Sequence, residues 1–120
     1  MYWFSSSDQD WITAKSLMKL KRYHHSLFFC HLTLEKLLKG KIVEVKDQSA
    51  PQTHDLLRLA KILQVEMNGK LETEFKEINR FNLEARYDDY KLQFYKLATK
   101  TYTEKWFEIC RKIRLWIKKI

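Results

Sequence analysis

The sequence predicts an all-α fold, an up-and-down antiparallel bundle of four to five helices, on three observations. Apolar residues recur at spacings of three and four along most of the chain. Two glycines and one proline among 120 residues are too few turn formers for an all-β fold. A hydrophobic fraction of 45% with 14% aromatics supports a packed core and excludes a disordered chain, which could not offset its conformational entropy. The length fits one domain, residues 1–120, and no repeat, low-complexity tract or linker divides it.

The first helix is read over residues 7–22, where Trp11, Ala14 and Met18 share a face and Ser7 or Asp8 offers a capping oxygen. A second runs from residue 23 or 24 to residue 45. Leu27, His31, Leu34, Leu38 and Ile42 form its inner stripe, widened by Phe28, Cys30 and Leu37. Gly40 inside it costs about 1 kcal/mol relative to alanine and signals either close packing or simple tolerance. Residues 46–52 break the pattern, and Pro51 disfavours helix at Ala50. Thr53 then stands at an N-cap position, with Asp55 in the first turn complementing the helix dipole. Leu56, Leu59, Ala60 and Leu63 make the buried side of a third helix that stops near Asn68-Gly69. A fourth, over 70–84, carries Leu71, Phe75, Ile78 and Phe81 on one face. Residues 85–100 are aromatic and charged without a clean period and read as mostly loop, with at most a short helix. The last helix opens on Thr101 and Glu104 at capping-box spacing. Its apolar face runs through Trp106, Cys110, Ile113, Trp116 or Ile117, and Ile120, with Arg111, Lys112, Arg114, Lys118 and Lys119 towards the C-terminus.

The formal charge of +8 points towards phosphate-bearing partners. Two cysteines, Cys30 and Cys110, without a CxxC, give no zinc framework and suit a reducing, cytoplasmic compartment. Met1-Tyr2-Trp3-Phe4 is too short for a signal peptide, and no uncharged stretch approaches the ~20 residues of a membrane span. There is no GxGxxG, Walker loop, HExxH or GxSxG. His31 and Glu35, one turn apart, have metal-ligand spacing, but two ligands on one helix are a weak signal and a satisfied, partly buried histidine beside Leu27 and Leu34 is the favoured reading of His31. Glu35 borders the same stripe, so its carboxylate is expected in an ion pair with a basic residue of another helix. Tyr87, Tyr90 and Tyr95 stand among Arg86, Lys91 and Lys96, an arrangement that suits a nucleotide ring or a loop packed by its own aromatics.

Three segments, in order, resemble the HEPN family (higher eukaryotes and prokaryotes nucleotide-binding domain). His31-Leu32-Thr33-Leu34-Glu35-Lys36-Leu37-Leu38-Lys39-Gly40 is similar to the Glu-Lys-x-x-Lys stretch of its second helix. Pro51-Gln52-Thr53-His54-Asp55-Leu56 matches the Pro-x-Thr-His-Asp-Leu lead-in to the third. Asn82-Leu83-Glu84-Ala85-Arg86-Tyr87-Asp88-Asp89 is close to an Arg-Tyr-Pro-Asp motif, with Asp88 in place of proline. The resemblance spans nearly the whole chain and implies a bundle of four or five helices that forms a homodimer. It further implies a nucleotide-binding or partner-binding module beside a minimal nucleotidyltransferase, in a toxin–antitoxin or defence setting. The ligand would be a nucleotide, ATP or GTP, or RNA, with no required cofactor. Lys36, Lys39, His54, Arg86 and Tyr87 are the polar positions that match the motifs. Each also has a structural reading, and for His54 that is a hydrogen bond to Glu35 or to the Arg86 segment. The ribonuclease branch places a histidine after Arg and a spacer of four to six residues. Lys91, Leu92 and Gln93 occupy those positions here, so the usual acid–base partner is missing. A ribonuclease toxin using Arg86 with His54 and a purely structural adaptor are the alternatives.

Overall fold

In the computed structural model, which describes residues 2–84 and 86–120, the chain forms six helices. They are α1 (Tyr2–Lys19), α2 (Tyr23–Lys46), α3 (Leu56–Ile62), α4 (Gly69–Asn79), α5 (Asp88–Leu97) and α6 (Lys100–Lys119). No strand occurs among the described residues, and no described helix is long and apolar enough to cross a membrane. The expected all-α bundle is what forms, with one helix more than expected. Met1, at the head of the short apolar segment, and Ala85, inside the third motif and the expected loop, lie outside the described residues.

The long helix α2 is the hub, packed against α1, α3, α5 and α6. Its Leu27, Leu34, Leu38 and Ile42 are at most 1% exposed. Around them close Leu56 and Leu59 of α3, Phe75 and Ile78 of α4, Phe94 of α5, and Cys110, Ile113 and Ile117 of α6. Phe81, after α4, is fully buried against Phe94. Helix α6 runs antiparallel to α1, as the Trp11–Phe107 stack (4.8 Å) and the Arg114–Asp8 ion pair (3.2 Å) require.

Several boundaries differ from the expected ones, each for a local physical reason. Helix α1 begins at Tyr2, and Ser7 lies inside it rather than capping it. The Ser7 hydroxyl donates to the Thr33 carbonyl (2.7 Å), so tertiary packing overrides its capping tendency. Asp55, rather than Thr53, is the N-cap of α3. Its carboxylate accepts from the Leu57 N–H at 3.0 Å, while Thr53 Oγ1 accepts from the Asp55 N–H. Helix α3 ends six residues early, where Gln64 turns left-handed (φ 61°) and the Val65 N–H returns to the Ala60 carbonyl. Asn68 opens the next helix instead of closing the previous one, accepting from the Leu71 N–H at 2.8 Å. The capping box at Thr101 is displaced. Thr99 caps α6 through the Tyr102 N–H, and Thr103 is buried.

The segment expected as mostly loop, with at most a short helix, contains the ten-residue α5. Asp88 and Asp89 in its first turn favour a helix N-terminus. Phe94 is its one fully buried residue, with Tyr90 and Leu97 half-buried against the core on the same face, whereas exposed Leu92 and Tyr95 blur that stripe in the sequence. The unclean period reflects exposed apolar residues beside a narrow stripe rather than an absence of helix.

Candidate functional site

The second and third motifs meet at a cleft of about 430 Å³ lined by His54, Asp55, Asn79, Asn82 and Arg86. One wall is the lead-in to α3. The buried His31 ring holds it from α2 by donating from Nε2 to the His54 carbonyl (3.0 Å), which fixes the neutral tautomer with hydrogen on Nε2. The His54 side chain turns the same way: Nδ1 lies 2.9 Å from Glu35 Oε1, so that nitrogen donates and Nε2 is left for the cleft. The His54 side chain is 59% exposed.

The opposite wall is the chain leaving α4. Asn79 bridges the walls, its side-chain carbonyl accepting from the Leu56 N–H (3.0 Å) and its amide donating to Asp55 Oδ1 (2.9 Å). That carboxylate is thus engaged by two donors of the protein itself, which blunts its repulsion of an anion. The Asn82 carbonyl accepts from Arg86 Nε at 3.3 Å, and the guanidinium lies over the Tyr90 ring at 4.6 Å. Tyr90 is itself fixed by donating to the Arg80 carbonyl. The two terminal nitrogens of Arg86 have no hydrogen bond among the described residues. They are in the fork geometry that suits a phosphate or carboxylate.

Behind the cleft lies a buried charge network. Glu35 is 4% exposed, with Lys39 Nζ 2.9 Å from Oε2 and His31 Nδ1 3.8 Å from Oε1. Lys39 also faces the Trp3 ring, 5.5 Å from its centroid. The carboxylate is therefore paired as expected, but by a lysine on its own helix and by the α3 lead-in rather than by another helix. Burial pushes the His31 pKa down to about 4, against a smaller opposing pull from Glu35. His31 Nδ1 has no hydrogen-bond partner. Among the described residues no group of His, Cys, Asp and Glu has the arrangement of a metal site.

Of the five motif residues singled out in the sequence, the structure brings His54 and Arg86 to the cleft. Lys39 sits behind it, coupled to His54 through Glu35. Lys36 faces α1 instead, bonded to Asp10 Oδ2 and Ser6 Oγ, each at 2.8 Å. Tyr87 is 90% exposed at the N-cap of α5 and is not a lining residue. Asn79 and Asn82 escaped the sequence reading because the fourth helix was expected to continue past both. An asparagine pair three apart near a helix end was the available signal, since Asn competes with helix for backbone partners.

A helical bundle with a polar cleft at the junction of its motifs, backed by a buried carboxylate, belongs to the class of small all-α domains. A family model of the HEPN domain matches residues 1–120, the whole chain, and the chain belongs to the HEPN domain family. No curated protein and no solved structure matches it.

Proposed function

We propose that this HEPN domain is a non-catalytic nucleotide-binding module whose phosphate site is the Arg86 cleft. The observation that carries the reading is the Arg86 side chain. It is braced by Tyr90 and Asn82, with its terminal nitrogens free and His54 and two asparagines around the same space. ATP, GTP or a segment of RNA would present phosphate there. The reading extends to a homodimer working beside a minimal nucleotidyltransferase in a toxin–antitoxin or defence module, which co-purification from the native host tests. For the nucleotide itself, titration calorimetry with ATP, GTP and a short RNA should show binding that Arg86→Ala weakens at least tenfold. No heat from any of the three, or an Arg86→Ala variant that binds as well as the parent, overturns it.

One contact favours a second reading, ribonuclease activity. The Glu35–His54 hydrogen bond orients an imidazole whose exposed Nε2 shares the cleft with Arg86, an acid–base pairing found in catalytic sites. On that reading His54→Ala abolishes cleavage of a short RNA while leaving its binding intact. Pure protein that cleaves no RNA removes it.

A further inference from the structure

A second cleft, of about 460 Å³, opens between the α1–α2 turn and the α5–α6 turn. Lys21, Arg22, His24 and Lys96 line it, together with the rings of Tyr23 and Tyr95, and no carboxylate is among its lining residues. Lys21, Arg22 and Lys96 take part in none of the ion pairs among the described residues. This contrasts with Lys36, Lys39, Arg80, Arg111 and Arg114, whose charges are answered within the chain. Four basic groups surround one concave space, and of them Arg22 acts on His24. Its pKa is lowered by burial first and then by His25 and Arg22.

Two of these residues also stand where local structure asks for something else. Lys21 has a left-handed backbone (φ 59°) at the end of α1, a place where glycine is usual. Arg22 occupies the N-cap of α2 and makes no capping bond, where Ser, Thr, Asp or Asn would be preferred. Departures of this kind concentrate where a side chain serves something other than the fold. The two rings add a flat apolar surface, with the Tyr95 ring held edge-on to His24 at 5.0 Å between centroids.

We propose that this corner cleft is a second, independent ligand site, taking the phosphate of a nucleotide on Lys21, Arg22 and Lys96 with its ring against Tyr23 or Tyr95. The volume lies within the range of small-ligand sites. A free nucleotide and one residue of an RNA strand share this chemistry. The site does not depend on the Arg86 cleft, with which it has no lining residue in common.

The test is amide chemical-shift titration of the labelled full chain with AMP, inorganic phosphate and a short single-stranded RNA. AMP should shift the Tyr23, His24, Tyr95 and Thr99 amides saturably. Arg22→Ala with Lys96→Ala should weaken that response at least tenfold, and Lys96→Ala alone, on an exposed position of α5, about threefold. Arg86→Ala should leave it unchanged. Tighter binding of AMP than of RNA identifies a free nucleotide as the source, and the reverse order identifies a strand. Either order supports the site. Shifts that are absent, confined to Asn79 and Asn82, or unaltered in Lys96→Ala overturn the proposal. Inorganic phosphate binding as tightly as AMP overturns the assignment of the ring to the tyrosines.

Discussion

At the residue scale, the charge of Glu35 is affordable only because Lys39 and the His54 ring meet it in a site that is 4% exposed. Removing one member of a buried pair leaves the other uncompensated. Glu35→Ala should therefore lower unfolding free energy by about 3–5 kcal/mol in urea titrations, and Glu35→Leu with Lys39→Met should restore most of it. His31 gives a second outcome, in pH. Its folded pKa of about 4 lies below the ordinary 6.5, so between those values the unfolded chain binds more protons than the folded one. Stability is full above pH 6.5 and falls as pH drops towards 4, with a limiting slope of about 1.4 kcal/mol per pH unit. Urea midpoints at pH 7, 6 and 5 check this, and His31→Gln should flatten the dependence. The hydrogen bond between His54 and Glu35 was among the readings open from the sequence, because both residues stand in motifs. The Lys39 partnership was equally available from its i,i+4 spacing. Asn79 was not, since its bonds to Leu56 and Asp55 join segments 23 and 24 residues apart.

At the scale of elements, α1 comes into close contact with α2 at Gly40. A Cβ built there would lie 2.5 Å from Phe4 Cε1 and 3.1 Å from Trp3 Cβ, so of the two readings open for this glycine, close packing is the one observed. Gly40→Val, whose branched side chain collides with α1 by more than its small gain in helix propensity offsets, should displace the start of α1. The expected cost is about 2 kcal/mol, read from thermal or urea unfolding, with Trp3 fluorescence reporting the displacement. An unchanged midpoint would mean that α1 is not held there. Helix α2 was legible almost to the residue because its stripe is long and wholly buried. Helix ends were not, because Ser7, Thr53, Asn68 and Thr101 are all plausible caps in isolation. Which oxygen actually caps depends on what the rest of the fold asks of each: Ser7 is drawn to Thr33 of α2, while Asn68 is left free to start α4. Helix α5, expected as at most a short helix in a loop, was blurred because exposed Leu92 and Tyr95 flank its narrow stripe of Tyr90, Phe94 and Leu97.

At the scale of the molecule, two groups stand out among the cations that give the surplus of eight positive charges. Lys36, Lys39, Arg111, Arg114 and Lys118 are matched by carboxylates inside the bundle or along its helices, and these charges serve packing. Lys21, Arg22, Arg86 and Lys96 have no such partner among the described residues, and all four line clefts. On the proposed reading, a partner attracted by charge meets α5 and the segments flanking it rather than Lys105, Lys112 and Lys119 of α6, which also lack ion pairs among the described residues. Salt dependence separates the two. For a short single-stranded RNA, log affinity should fall linearly with log salt, at about 0.7 per phosphate neutralised. Arg86→Ala should weaken binding and lower that slope by about 0.7. Lys119→Ala, at the exposed end of α6, should change neither. If instead Lys119→Ala flattens the slope and Arg86→Ala does not, the strand lies along α6, and the unpaired cations at the clefts are solvated charge.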